Sequence, residues 1–279
     1  MKICGLQKTT LLDFPGRVAA TIFTGGCNFR CPFCHNSGLL GLDAEEYECQ
    51  EDILAFLEKR KRVLEGVCIT GGEPTLQPDL EEFIRKVRSL GLAVKLDTNG
   101  YMPGILKDLC TKGLLDCVAM DIKAGRNHYE EAAGVSGLSM ERIDESIEFL
   151  LSGSIPYEFR TTVVRGIHTS DDFRQIGPWI KGCPAYYLQC FTESGEVLVP
   201  GIYSDFSKDE MMAFADLVRP YVGKVSLRGI DYKGVLDKCF RELCPTFLEN
   251  VVPVIVQQPA ALTESAPNIT QNRASRRQE

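Results

Sequence analysis

Short runs of apolar, β-branched residues alternate along this chain with longer stretches of helical period, and that alternation constrains the fold more than any other feature. The strand-like runs are Val18–Phe23, Val67–Thr70, Ala93–Asp97, Cys117–Asp121, Tyr157–Val163 and Ala185–Cys190, with Val225–Arg228 as a further candidate. Their near-continuous apolarity suits strands covered on both faces, as in a parallel sheet. Between them, Leu80, Phe83, Ile84, Val87 and Leu90 fall on one helical face, and Gly91 stands where a helix would stop. Met140, Ile143, Ile147 and Leu150 repeat the pattern, and Ser207-Lys-Asp-Glu210 reads as a capping box ahead of Met211, Phe214, Leu217 and Val218. Strand–helix alternation of this kind implies right-handed crossovers and a wound α/β fold. No Gly/Ser-rich linker interrupts residues 1–250, which therefore read as one domain with a core over about 15–230. From residue 251 the chain turns to Pro, Gln, Asn, Ser and Arg without periodicity, which predicts a disordered tail over 251–279.

The longest apolar runs fall far short of the roughly 20 residues that span a bilayer. The N-terminal stretch MKICGLQKTTLLDF holds no continuous apolar segment of the signal-peptide kind, so the expected location is the cytoplasm, away from membranes. With 31 Lys and Arg against 38 Asp and Glu, the net charge is −7, which disfavours a phosphate-backbone partner and hence nucleic acid. Disulfides are rare in the cytosol, yet the chain carries 12 cysteines, and that combination points to metal or redox chemistry.

Cys27, Cys31 and Cys34 follow the spacing C-x3-C-x2-C on the loop Gly25–Asn36, directly after the first expected strand. In a wound α/β fold that loop lies at the carboxyl edge of the sheet, where ligands bind. Three thiolates on one loop can take three corners of a cubane iron–sulfur cluster and leave the fourth iron open to a small ligand. The same thiols with the adjacent His35 could instead close a structural zinc site. Gly71-Gly72-Glu73-Pro74 follows the second expected strand at the same edge, where a carboxylate or an exposed carbonyl can receive an ammonium. Cys183, Cys190, Cys239 and Cys244 are spaced too loosely to read as a second cluster and fit small buried hydrophobes.

The thiol triplet with GGEP resembles the radical S-adenosylmethionine (SAM) superfamily. The segments GLQKTTLLDFPG (5–16), DTNG (97–100) and MDIK (120–123) resemble, within it, the glycyl-radical-enzyme activases, above all those that serve anaerobic ribonucleoside-triphosphate reductase. The resemblance covers roughly residues 1–230 and implies a partial (β/α)6 TIM-like barrel. It implies that Cys27, Cys31 and Cys34 hold one [4Fe–4S] cluster and that SAM chelates the open iron. Gly71, Gly72 and Glu73 would line the methionine-amino side, and Lys123 would contact the cofactor. The Asp97 and Asp121 carboxylates would help bind a monovalent cation beside SAM, since hard oxygen ligands suit such an ion. Arg165, after the fifth expected strand, could pair with the SAM carboxylate, and His168 reads as a solvated loop histidine.

The implied reaction is reductive cleavage of SAM, with an electron from flavodoxin or ferredoxin, followed by hydrogen abstraction from a glycine Cα of a partner glycyl-radical enzyme. Residues 35–70, between Cys34 and Gly71, hold two cysteines, Cys49 and Cys68, the second in an expected strand, and so lack a cysteine-rich ferredoxin-like insert, which favours a reductase or formate-lyase type over multi-cluster activases. Two other readings stay open at this point: a radical SAM enzyme acting on a small molecule, and a non-enzymatic zinc module.

Overall fold

A computed structural model describes residues 1–41, 43–194 and 196–230, and Met1–Ile230 form one compact unit. One sheet carries eight strands in sequence order: β1 (Ile3–Thr10), β2 (Ala19–Thr24), β3 (Gly66–Gly71), β4 (Ala93–Thr98), β5 (Cys117–Asp121), β6 (Tyr157–Val163), β7 (Tyr186–Cys190) and β8 (Val225–Arg228). β1 runs antiparallel to β2, and every later neighbour pair is parallel. Parallel neighbours require crossovers. These are α1 (Gln50–Arg60), α2 (Leu80–Ser89), α3 (Pro103–Thr111), α4 (Tyr129–Ala133) with α5 (Met140–Leu151), α6 (Ser170–Trp179) and α7 (Lys208–Val218), in that order from β2 to β8. The end strands β1 and β8 do not pair, so the sheet is an open, partial TIM-like barrel.

Local chemistry explains the elements. Val67, Cys68 and Ile69 of β3 and Val118, Ala119 and Met120 of β5 are fully buried, as strands covered on both faces must be. α2 buries Leu80, Phe83, Ile84 and Val87 and carries Glu81 and Glu82 in its first turn and Lys86 and Arg88 in its last, matching the helix dipole. Gly91 follows with a positive φ of 82°. Ser207 and Glu210 form the expected capping box at the start of α7. Within that region Phe214 stacks on Phe173 of α6 with ring centroids 4.5 Å apart, which locks the last crossovers together.

The seven expected strands are all present, with no end displaced by more than one residue. The additional strand is β1, whose middle residues are half-buried or exposed. With a partner on one side only, it needs no apolar run, so its sequence ICGLQKTT carries no strand signal of that kind. No helix among the described residues is long and apolar enough to cross a membrane. The expected tail, and with it Cys239 and Cys244, lies outside the described residues.

Candidate functional site

The loops after β2, β3, β4 and β5 meet at the carboxyl edge of the sheet around a cavity of about 490 Å³. Nine of the ten expected site residues line it: Cys27, Cys31, Cys34, Gly71, Gly72, Glu73, Asp97, Asp121 and Lys123. That volume lies in the ordinary range for a small-molecule site.

Two glycine-rich turns fix the thiol loop. Gly72 N–H donates to Thr24 O and Glu73 N–H donates to Gly26 O, each at 2.8 Å, so the turn after β3 is zipped against the loop after β2. A Cβ on Gly72 would stand 2.1 Å from Gly26 O, and one on Gly71, whose φ is +110°, would stand 2.3 Å from Thr24 N. The glycines are therefore required by loop-on-loop contact, before any ligand is considered. Beyond the zip, Cys34 N–H donates to Cys31 O at 3.0 Å, Phe29 N–H donates to the Cys27 sulfur at 3.4 Å, and Arg30 N–H donates to Ala133 O at 2.8 Å. Buried Phe29 anchors the loop against Tyr101, 5.6 Å between rings.

Burial pushes the Cys27 thiol up to about 11 and the Cys31 thiol up to about 12, against the pull of the Phe29 amide on the first and of Lys123 on the second. Cys34 is raised in the same way. Such thiols are neutral until an electron-pair acceptor displaces their protons. Among the described residues no three Cys, His, Asp or Glu side chains converge on one point, as a single tetrahedral ion requires. His35 Nε2 lies 2.6 Å from Thr192 O and its ring packs 5.4 Å from Phe191, so it is engaged elsewhere. Three thiols of one loop lining a roomy cavity suit a cubane, which takes each thiolate on a different iron.

Glu73 is buried, with Oε1 accepting from Thr75 N–H (3.1 Å), Thr75 Oγ1 (2.5 Å) and Thr98 Oγ1 (2.7 Å), and Oε2 accepting from Asn99 N–H (2.7 Å). Burial still raises its pKa despite these donors. The carboxylate therefore ties the turn after β3 to the end of β4, and the part of GGEP left for a ligand is its glycine backbone.

A chain of charges lines the cavity through Asp97, Arg160, Asp121 and Lys123 and is continued behind it by buried Lys95. Lys95 Nζ pairs with Asp97 Oδ1; Asp97 Oδ2 takes Arg160 Nη1 at 2.9 Å; Asp121 Oδ1 takes Arg160 Nε at 2.9 Å; Asp121 Oδ2 takes Lys123 Nζ at 3.0 Å. Sheet register explains the pairing, since Asp121 of β5 stands directly beside Arg160 of β6. Burial would raise both carboxyls, yet Arg160 with Lys123 holds Asp121, and Arg160 with Lys95 holds Asp97, below the usual carboxylate range.

Arg160 and Lys95 were not among the expected residues. Their signal is a cation in the middle of an otherwise strand-like run, YEFRTTV and AVKLDT, which a buried strand tolerates only when the charge is paired. Arg165, by contrast, does not line the cavity. Its Nη2 reaches Glu210 at 2.6 Å, its Nε donates to Asp205 O at 3.1 Å, and its guanidinium lies 4.3 Å from the Phe206 ring centroid. His168 is buried: its Nδ1 accepts from Val164 N–H at 3.1 Å and its Nε2 faces Lys123 O at 2.8 Å, so it braces the segment that carries Lys123. Cys190 lines the cavity at the end of β7, while Cys183 is buried and bonded to Ala185 O, so they form no pair.

Known proteins are similar to this chain. A Methanocaldococcus jannaschii protein, MJ1227, provisionally named a glycyl-radical enzyme activating enzyme, is 28% identical over 82% of this chain and 96% of its own length. A Saccharolobus solfataricus protein provisionally named a GTP 3′,8-cyclase is 33% identical, but over 51% of this chain and 46% of its own. Among solved structures, Streptococcus suis SuiB bound to S-adenosylmethionine superposes with a TM-score of 0.61 at 13% identity, covering 77% of this chain, which spans about half (51%) of SuiB. TYW1 with a lysine-pyruvate adduct superposes at 0.51 and 18% identity, covering 73% of this chain and 74% of its own. Residues 21–176, more than half of the chain and inclusive of the thiol loop, the glycine turn and the ion chain, match the pattern of the radical SAM superfamily, and the chain belongs to that superfamily.

Proposed function

We propose that this protein is a glycyl-radical-enzyme activase, with anaerobic ribonucleoside-triphosphate reductase as its partner. The observation that carries the reading is the end-to-end likeness to MJ1227, which spans 96% of that protein, whereas the likeness to the cyclase stops at 46%. The motif-bearing segments 5–16, 97–100 and 120–123 support the same branch.

Membership of the superfamily implies a [4Fe–4S] cluster and SAM. Cys27, Cys31 and Cys34 are assigned to the cluster, because they are the three thiols of one loop and all face the cavity. The glycine backbone at Gly71 and Gly72 is assigned to the amino group of SAM, with Glu73 holding that backbone in place. Arg160 and Lys123 line the cavity and are assigned to the carboxylate of SAM, with Asp97 and Asp121 fixing their positions. When bound, the cluster, reduced by one electron from flavodoxin or ferredoxin, and SAM would supply the radical chemistry of hydrogen abstraction from a glycine Cα, with a C–S bond of SAM broken and methionine released. The protein's part is to orient these groups and keep water out. The partner's glycine loop would enter at the mouth of the barrel, which an open, partial barrel suits better than a closed one.

Anaerobic reconstitution should give about four iron and four sulfide per chain. Reduced protein with SAM and the reductase should then yield a glycyl-radical electron paramagnetic signal. SAM cleavage with no such signal in the reductase or any other glycyl-radical enzyme would overturn the proposal in favour of a small-molecule substrate.

A further inference from the structure

The resemblance implies a monovalent cation at Asp97 and Asp121, and the residues present do not fit one. Such an ion needs carboxylate oxygens with room for it. All four oxygens here already face a cationic nitrogen: Lys95 Nζ and Arg160 Nη1 on Asp97, Arg160 Nε and Lys123 Nζ on Asp121. Three positive side chains thus meet two negative ones. Adding a sodium or potassium ion would enlarge the excess inside a pocket of low polarizability and would have to displace one of these nitrogens.

Neither the Lys95 nor the Arg160 displacement has an outlet, and moving Lys123 would free one oxygen of Asp121 alone, leaving both oxygens of Asp97 paired. Lys95 is 1% exposed, and the other partner of its ammonium is the Cys68 sulfur at 3.9 Å, a weak acceptor, so an ejected Lys95 would be a buried charge with no counter-ion. Arg160 lies between the two carboxylates, where an ion shared by them would sit, and its guanidinium does not lose its proton. Lys95 and Asp97 stand two residues apart on β4 and so share its inner face, which brings the ammonium to the carboxylate without any change of backbone.

We propose that this chain carries its monovalent cation as side chains: the Lys95 ammonium and the Arg160 guanidinium are a tethered replacement for the ion, and the site binds SAM without sodium or potassium. The inference concerns the site alone and holds whatever the substrate, so its test is independent of the glycyl-radical assay.

The test uses the full-length, reconstituted protein in about 100 mM potassium, sodium or tetramethylammonium chloride at equal ionic strength, tetramethylammonium being too large to enter. SAM affinity is measured by titration calorimetry, and Tm is measured on the same samples before SAM is added. For the wild type the three salts should agree within about twofold in Kd and about 1 °C in Tm. A tenfold or so tighter SAM complex, or a Tm higher by about 4 °C, in potassium or sodium than in tetramethylammonium would show an ion site and overturn the proposal. Lys95→Ala should bind SAM at least about tenfold more weakly in tetramethylammonium and recover in part when potassium or ammonium is supplied. A folded Lys95→Ala protein indifferent to all of these cations would also overturn it. If that variant does not fold, the wild-type comparison still decides.

Discussion

The thiol loop and the ion chain face the same cavity but are held in opposite ways. Backbone holds the first: glycine turns zip the loop after β2 to the loop after β3, and the three thiols hang from it as neutral groups with few hydrogen bonds of their own. Side chains hold the second: Lys95, Arg160 and Lys123 pair with Asp97 and Asp121, so most of the groups that face a ligand are also what ties three strands together at that level. In the loop, chemistry and scaffold sit on different residues. In the ion chain they coincide. A substitution should therefore separate function from stability in the first region and couple them in the second.

The sharpest way to break that contrast is Arg160→Met. It leaves Asp97 with Lys95 alone and Asp121 with Lys123 alone and removes the link between them, and breaking a buried pair from one side costs up to about 3–5 kcal/mol. Urea unfolding of the cluster-free protein should show a loss of that size, together with weakened SAM binding in the reconstituted protein. An unchanged urea midpoint would mean that the ion chain does not hold the strands.

Gly72→Ala comes next. Its Cβ would meet Gly26 O at 2.1 Å, a backbone atom that cannot swing away, so overpacking should cost about 1–3 kcal/mol and splay the thiol loop. Iron content after reconstitution should fall although every cysteine is still present. Full iron loading in a folded Gly72→Ala protein would show that the zip is not what places the thiols.

Cys27→Ser reverses the proportions. The sulfur accepts one long hydrogen bond from Phe29 N–H, and serine can accept the same bond, so the cluster-free protein should lose about 1 kcal/mol or less. Iron and SAM cleavage should vanish together. If Cys27→Ser destabilises the cluster-free protein as much as Arg160→Met, the contrast between the regions fails.

The two regions also differ in how much of them can be read without the structure. The thiol loop and GGEP announce themselves because spacing and glycines are properties of consecutive residues. The ion chain joins β4, β5 and β6, and its members are neighbours only through register, as Asp121 beside Arg160 shows. Asp97, Asp121 and Lys123 are legible as ends of strands, whereas Lys95 and Arg160 look like interruptions of apolar runs. The fold shows the same division. The seven parallel strands stand out because burial on both faces demands apolar runs, while edge strand β1, relieved of that demand, passes for a loop motif.

Arg165 gives the smallest effect and tests the rule that misplaced it. Residues just past the carboxyl end of a strand in a wound α/β fold face ligands often enough to make it the natural partner for a carboxylate. Here the turn after β6 points its guanidinium outward to Glu210 and the Phe206 ring, and the inward arginine is five residues earlier within β6. Arg165→Ala should leave SAM affinity within about twofold of wild type, which titration calorimetry can check. Its effect should appear at low pH instead. Arg165, and after it the Ser207 hydroxyl, lowers the Glu210 carboxyl from 4.5 to about 2. A depressed carboxyl contributes stability that is present above its unfolded value and lost as pH falls toward its folded one. Between pH 4.5 and about 2, then, the wild type should lose stability more steeply than Arg165→Ala, by a small margin because both groups are exposed. Equal slopes would mean that the ion pair does not persist in solution, and a many-fold loss of SAM affinity would return Arg165 to the cavity.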